Sequence, residues 1–450
     1  MDVIAAISTA NALSAIGIVR VSGDGCFGLC DQVFQPANGG LFSAARPREM
    51  VLGRLLDREG RAIDSCLAVR FPGPGSYTGE DCAEFHCHGS PVVLGEALEA
   101  LFAAGARQAG RGEFTKRAFL NGHMDLTQAE AVIDLIESET AQAAHNAVAQ
   151  LGGALRKKIE PVYDRLLDLS SQFYAIVDYP DEDIEDLRRE DMLQTLAGAE
   201  ETLQALLATF RRGKILRQGV PTAILGRPNV GKSSLLNALL GYDRAIVTDV
   251  AGTTRDTVEE KAVVGGVLLR LIDTAGIRDT GDTVERLGVE RAQKAAAEAE
   301  LVLLVLDGSQ PLTAEDHAAA EAAQGAPHVI VIRTKCDLPQ AADLTGFGSA
   351  LSVSAKVGTG LDALEAAVAA LFPAGEVPPG QILTNARQVE AVGRAAEALR
   401  GAREALESGL TPDAALTDTE RAMNALGELT GRTLREDLVA RIFERFCVGK

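Results

Sequence analysis

The 450-residue chain has no uninterrupted apolar run approaching the roughly 20 residues that a bilayer-spanning helix requires, although hydrophobic residues make up 46% of it. That absence argues for a soluble, globular protein and against a membrane role. The start, Met1-Asp2-Val3, lacks the basic flank and apolar core of an export signal, so a cytoplasmic location is expected. Seven cysteines, an odd number scattered along the chain, do not make a disulfide framework, and reduced thiols are expected. A positive charge balance is missing too. Forty-four Lys and Arg stand against 63 Asp and Glu, a net charge of −19, which is the wrong overall field for loose, nonspecific nucleic-acid binding. A local basic patch or a basic partner remains an open route to RNA.

The length suggests about three domains. Residues 1–118 carry short β-like runs (Ile16 to Val21, Cys66 to Phe71, Ala83 to His88) between Gly and Pro clusters such as Pro72-Gly73-Pro74-Gly75, and read as an α+β domain. At Thr127 the pattern turns helical. Thr127-x-x-Glu130 matches a capping box, and Val132, Ile133, Ile136, Ala143 and Ala147 follow at helical spacing. Amphipathic stretches near Leu155 to Val177 and Arg189 to Arg211 are joined by an acidic loop containing Pro180. From 218 to 377 strand, Gly-rich turn and helix alternate, as in an α/β domain, and Pro373, Pro378 and Pro379 mark its end. Helical patterns return near Asn385 to Leu406, Asp413 to Leu429 and Thr433 to Phe446. Residues 119–217 and 378–450 therefore read as one helical bundle into which the α/β domain is inserted.

The chemistry concentrates in that inserted domain. Gly226-Arg-Pro-Asn-Val-Gly231-Lys232-Ser233 fits G-x-x-x-x-G-K-[ST], follows the apolar strand Thr222 to Leu225 and opens a helix. Such a loop wraps phosphates with backbone N–H groups, reaches the terminal phosphates with Lys232 and offers the Ser233 hydroxyl to Mg2+. Gly252-Thr253-Thr254 supplies a further hydroxyl for magnesium, for which Thr254 is the choice. Strands near Val258 to Val264 and Val267 to Ile272 flank Gly265-Gly266, a hairpin signal, and lead to Asp273-Thr274-Ala275-Gly276, suited to magnesium-bound water and the γ-phosphate. The runs Leu301 to Leu306 and Val329 to Ile332 read as buried parallel strands. The second ends in Thr334-Lys335-Cys336-Asp337, where Asp337 would accept hydrogen bonds from guanine and Thr334 stands where Asn is usual. Ser354-Ala355-Lys356 completes the series. The order and spacing resemble the translation-factor-like branch of P-loop GTPases. GTP contacts are accordingly expected from Asn229, Val230, Gly231, Lys232, Ser233, Ser234, Thr248, Asp249, Val250, Ala251, Gly252, Thr253, Thr254, Asp273, Thr274, Ala275, Gly276, Thr334, Lys335, Asp337, Ser354, Ala355 and Lys356.

One catalytic group is missing. Many GTPases place Gln after Asp-x-x-Gly to orient water, and here Ile277, which cannot hydrogen-bond water, holds that position. Asn229 could ligate a monovalent cation or simply stabilise its loop, and Glu285 could order water or be a helix-start charge.

Across essentially its whole length the sequence resembles the MnmE (TrmE) family of tRNA-modification GTPases. The resemblance rests on Gly17-Ile-Val-Arg20-Val-Ser-Gly, Phe71-Pro-Gly-Pro, Tyr77-Thr-Gly-Glu-Asp, Gly112-Glu-Phe-Thr-Lys-Arg-Ala-Phe-Leu-Asn121, the GTPase series and the ending Phe446-Cys-Val-Gly-Lys450. It implies a multidomain protein with a folate-binding, dimerising N-terminal α+β domain, an α-helical bundle and an inserted P-loop domain. It also implies potassium-stimulated hydrolysis, with K+ held by Asn229, Thr248, Val250 and Thr253, and catalysis served by Lys232 and Glu285. A tetrahydrofolate derivative such as 5-formyltetrahydrofolate would meet Arg20, Glu84, His123 and Lys450. With the flavoprotein MnmG (GidA), such proteins modify carbon 5 of the wobble uridine of certain tRNAs. Cys447 in the tail could act as a nucleophile or serve packing. Cys82, His86 and His88 share one strand face and Cys87 the other, which splits any zinc set. Two competing readings are a ribosome-assembly GTPase, which would leave residues 1–118 unexplained, and a GTP-regulated folate-dependent one-carbon transferase.

Overall fold

The computed structural model describes residues 2–178, 188–242, 260–272, 293–373, 377–433, 442–443 and 446–449. By spatial contact the chain divides into Met1–Ile133, Leu151–Leu196 and Glu397–Lys450 on one hand, and Asp134–Gln150 with Ala197–Ala396 on the other.

The first unit contains a seven-stranded sheet. Its strands are β1 (Ile4–Ile7), β2 (Ser14–Ser22), β3 (Phe34–Pro36), β4 (Val51–Leu56), β5 (Ala62–Phe71), β6 (Cys82–Gly89) and β7 (Arg107–Gln108), in the spatial order β3-β4-β5-β6-β2-β1-β7. All neighbours are antiparallel except β1 and β7. One face, with Val19, Val21, Ala68 and Phe85, packs against the helices Cys26–Val33 and Pro91–Ala103. Side chains alternate between faces along a strand, so the residues between these point the other way. There Leu52, Leu67, His86 and Ile18 fall in register across four strands, and Leu52 and Leu67 are exposed.

Helices Ala154–Asp178 and Pro412–Thr430 pack together in this unit, with Ser170 against Met423, Tyr174 donating to Glu420, and Arg432 paired with Glu160. The expected capping box at Thr127 and Glu130 is not the one formed. The helix Leu126–Ile136 is capped by Asp125, whose Oδ1 accepts from the Gln128 N–H at 2.8 Å while Gln128 Oε1 accepts from the Asp125 N–H at 3.0 Å. Thr127 donates to the same Asp125 carboxylate at 2.6 Å, so the reciprocal pair is Asp-x-x-Gln, two residues upstream. The helical pattern then breaks, and Ala141–Leu151 is a separate helix.

In the second unit β8 (Val220–Leu225), β9 (Glu260–Val264), β10 (Val267–Leu271), β11 (Leu301–Asp307), β12 (His328–Thr334) and β13 (Ala350–Ser352) form a sheet ordered β13-β12-β11-β8-β10-β9. It is parallel apart from the β9–β10 hairpin. Gly265 and Gly266 turn that hairpin with φ of 58° and 78°, the two positive values that a type I′ turn demands. Strand β11 is buried at every position, as a central parallel strand covered on both faces must be. The layered α/β order expected for this region is thus present, and parallel strands bring the loops after β8, β11, β12 and β13 to one end.

Candidate functional site

The loop after β8 is held in a conformation that its sequence permits and few others would. Gly226 has φ 149°, and a Cβ there would lie 2.3 Å from the Val305 carbonyl oxygen, so the loop passes against β11 without room for a side chain. Asn229 is left-handed at φ 63°, a conformation Asn tolerates better than most residues, and Gly231 follows at φ 103°. The helix Lys232–Tyr242 begins at once, with Ser233 and Ser234 exposed on its first turn.

Lys232 Nζ donates to the Gly226 and Arg227 carbonyls at 2.6 and 2.8 Å, and burial lowers its pKa while nearby Glu315 acts in the opposite sense. Its ammonium is thus pre-placed in the bowl of its own loop. The Arg227 Nε–H is shared between the two Asp316 carboxylate oxygens at 3.0 and 3.2 Å; Asp316 is 1% exposed and also accepts from the Thr313 N–H in the capping box of helix Ala314–Ala323. The phosphate-type loop is therefore braced from both sides.

The segment Thr334 to Asp337 is brought directly against that loop. The buried Thr334 Oγ1 lies 2.6 Å from the Val230 carbonyl and 3.0 Å from that of Leu306; with one proton it donates to one at a time. Lys335, left-handed at φ 55°, donates to the Asn229 carbonyl at 3.1 Å and to Asp307 Oδ2 at 2.6 Å. Burial pushes the Asp307 carboxyl up, but Lys335 and Ser309 outweigh it and hold its pKa below the usual carboxylate range. A short hydroxyl in place of the usual Asn thus still joins the two loops, because β12 ends close enough for Oγ1 to reach. Asp337 is exposed, and hydrogen bonding from Ser354 lowers its pKa, with Lys356 adding positive charge. Ser354 is fixed by N–H donation to Thr359 at 2.9 Å.

The fold therefore gathers Asn229 to Ser234, Thr334, Lys335, Asp337 and Ser354 to Lys356 at one end of the sheet. Thr248, Asp249, Val250, Ala251, Gly252, Thr253, Thr254, Asp273, Thr274, Ala275, Gly276, Glu285 and Lys450 lie outside the described residues. Asp307 and the Arg227–Asp316 brace were not singled out from sequence. The first had a signal, an acid ending an otherwise apolar buried strand. The second had none, since its partners are 89 residues apart.

A second cluster lies on the first sheet. Arg20 on β2 is opposite Glu84 on β6, and they form an ion pair at 2.8 Å with both side chains 16% exposed. The Arg20 guanidinium sits 5.0 Å from the Tyr77 ring and 5.6 Å from that of Phe114, within cation–π range. His123 lies over Gly79, where φ is 80° and a Cβ would come 2.8 Å from the imidazole. The tail returns to this domain: Val448 bridges to Arg111, Gly112 N–H donates to the Cys447 carbonyl at 3.2 Å, and Ser8 Oγ donates to Gly449 O at 3.0 Å. Cys447 itself is exposed. His86 faces Glu84 at 3.4 Å and His88 pairs with Asp64 at 2.8 Å, while Cys82 and Cys87 are buried. Among the described residues no group of three or more His, Cys, Asp and Glu could hold a metal ion.

The family description "GTP-binding protein TrmE N-terminus" matches residues 3–123, and "MnmE helical domain" matches residues 126–447. The tRNA modification GTPase MnmE of Thermoanaerobacter sp. is 42% identical over all of this chain and 99% of its own length. Those of Symbiobacterium thermophilum and Listeria innocua are 44% and 42% identical with the same coverage. A family match over more than half the chain, together with full-length identity above 40%, leaves no region unaccounted for: this chain belongs to the MnmE family of tRNA modification GTPases.

Proposed function

We propose that this chain binds and hydrolyses GTP at the C-terminal end of the second sheet, and that the cycle drives modification of carbon 5 of the wobble uridine in certain tRNAs together with the flavoprotein MnmG. The observation that supports the nucleotide reading is the direct bonding of the Lys232 loop to the Thr334–Asp337 segment through Thr334 and Lys335, as a phosphate loop working beside a guanine-reading segment would require. In this reading Asn229 to Ser234 wrap the phosphates, Lys232 exchanges its carbonyl partners for terminal phosphate oxygens, and the Asp337 carboxylate, beside Ser354, accepts from guanine.

The loop's oxygen donors fit hard cations: Ser233 with Thr254 would hold Mg2+, and Asn229 with Thr248, Val250 and Thr253 would hold K+. Bound there, these ions supply positive charge to the phosphate oxygens, the service an arginine finger gives elsewhere. Asp273 to Gly276 would sense the γ-phosphate and Glu285 would order the attacking water, since Ile277 cannot.

The first domain, residues 1–118, is assigned a tetrahydrofolate such as 5-formyltetrahydrofolate, met by Arg20, Glu84, His123 and Lys450; because Arg20 and Glu84 pair at 2.8 Å, these two would meet one end of the molecule together. A guanidinium–carboxylate pair flanked by Tyr77 and Phe114 has the charge and ring surfaces for such a molecule. The exposed Leu52, Leu67 and Ile16 on the same domain support pairing with a second copy. The helical domain is assigned to 119–217 and 378–450, and the GTPase domain to 218–377.

GTP turnover measured in potassium and then in sodium tests the cation set; equal rates reject it. Nucleoside analysis of tRNA from cells lacking the protein tests the pathway, and wobble uridines identical to wild type would remove the modification reading.

A further inference from the structure

The second unit contains a cavity of about 370 Å³. It opens where β12 begins at His328 and where the β9–β10 turn lies, the end of the sheet opposite the loops described above. Its walls are apolar, including Leu216, Val267 and Phe372, yet they also carry Arg211, Arg212 and His328. No lining residue is an Asp or a Glu, in a chain with 63 of them and a net charge of −19. A cationic, acid-free hollow in so acidic a protein is a local reversal of the global field.

The two arginines differ. Arg211 is exposed and paired with Glu300. Arg212 is half-buried, and among the described residues no carboxylate or carbonyl accepts from it; burial alone lowers its pKa. A guanidinium taken partly out of water without a partner is costly, so a site that keeps one has use for an anion. His328 stands edge-on to Phe372, ring centroids 5.4 Å apart, so one wall offers both an aromatic surface and a ring nitrogen.

The hollow is built rather than left over. The helix Phe210–Gln218 that carries both arginines is pinned at three points. Thr209 Oγ1 accepts from the Leu383 N–H at 3.0 Å. A Cβ on Gly213 would fall 1.9 Å from the Leu383 carbonyl oxygen. Gly219, at φ 77°, ends the helix where a Cβ would fall 2.9 Å from the Leu268 carbonyl oxygen of β10. The volume lies within the range of small-ligand pockets.

We propose that this cavity binds a small organic anion, an aromatic or branched apolar body bearing one carboxylate, with the carboxylate on Arg212 and the body between Val267, Leu216 and Phe372. A ligand there would tie the helix before β8 to the β9–β10 hairpin, which lies between the two segments that carry Thr254 and Asp273.

The chain contains no tryptophan, so Phe372→Trp places a single indole in the cavity wall of the full-length protein. Excited through that indole, 8-anilinonaphthalene-1-sulfonate is the probe, and its sensitised emission should saturate at one dye per chain. 4-Phenylbutyrate should displace it and neutral 4-phenylbutanol should do so at least about tenfold more weakly, the scale of one charge-assisted hydrogen bond. Adding Arg212→Met should weaken dye and 4-phenylbutyrate by a similar factor at an unchanged thermal midpoint. Equal displacement by acid and alcohol overturns the proposal, as does absence of sensitised emission. The acid–alcohol comparison uses one protein, so it decides the question even if Arg212→Met folds poorly.

Discussion

The two sheets solve the problem of presenting a site in opposite ways. On the parallel sheet each functional group sits in a loop of a few residues at a strand's C-terminal end, so its chemistry is local in sequence and the fold only gathers the loops. On the antiparallel sheet the unit is the cross-strand pair: Arg20 and Glu84 are 64 residues apart and meet because β2 and β6 share a register. The first arrangement can be recognised from short motifs, whereas the second depends on a register that no short motif contains.

The largest effect should come from the parallel sheet. Lys232→Met removes the ammonium that sits against the Gly226 and Arg227 carbonyls of the phosphate loop, and GTP turnover should fall on the order of a hundred- to a thousand-fold, the usual loss for one preorganised donor. Phosphate release measures this, and binding of a folate to the first domain should be unchanged. A parallel loss of folate binding would mean that the two sites are not the separate constructions described here.

Acid should separate the two units next. Asp2, Arg107, Glu113, Arg117 and Glu80 form a charge lattice beside β1 and β7, with Arg117 only 4% exposed. Burial pushes the Glu113 carboxyl up, but hydrogen bonds from Arg107, the Gly110 N–H and Arg117 outweigh it and bring its pKa down from 4.5 to about 2. A lowered folded-state pKa gives stability that is complete above 4.5 and is lost as pH falls toward 2. The contribution is at most about 3 kcal/mol, a ceiling because Arg107 is half exposed and screened. Hydrogen exchange followed from pH 5 to pH 2 should therefore show β1 and β7 opening before β8 and β11, and Glu113→Gln should flatten that difference. Simultaneous opening of both sheets would count against it.

A smaller effect is expected where the two loops of the parallel sheet meet. Thr334→Val keeps the shape but removes the one hydroxyl proton that the Val230 and Leu306 carbonyls share, a cost of about 1–3 kcal/mol. GTP affinity by calorimetry should drop roughly tenfold, and Thr334→Ser should restore most of it. If valine binds nucleotide as threonine does, the bridge between the loops is incidental.

What could be read in advance follows the same division. The phosphate loop, the Gly265-Gly266 hairpin and the strand β11 were legible because local geometry and burial dictate residue type at each position; β12 is a strand as expected, but it is not buried throughout, since its side chains alternate and Val329 is 39% exposed. The helix start near Thr127 was misplaced by two residues, since Asp125 and Gln128 make an equally short pattern and only the hydrogen bonds choose between them. The Arg227–Asp316 pair, the Lys335–Asp307 pair and the rings of Tyr77 and Phe114 around Arg20 were not legible as contacts, because each is a product of tertiary packing. Resemblance to a family could nominate Arg20 and Glu84, but not state that they pair with each other.

The finest test of the contrast is a single methyl group on the antiparallel side. Gly79 is left-handed at φ 80°, and in Gly79→Ala the new Cβ would stand 2.8 Å from the His123 ring. The backbone strain is about 1 kcal/mol, and because His123 is an exposed side chain it can swing away, so the domain should still fold. Folate affinity should then fall by a few-fold while GTP turnover stays at the wild-type rate. A local lesion on the parallel sheet breaks a motif; here one methyl works by pressing on His123 and, at 3.1 Å, on the Cβ of Asn121, residues more than 40 positions along the chain. Unchanged folate affinity would show that His123 is not part of that site, and would leave Arg20 and Glu84 as the groups on which the assignment rests.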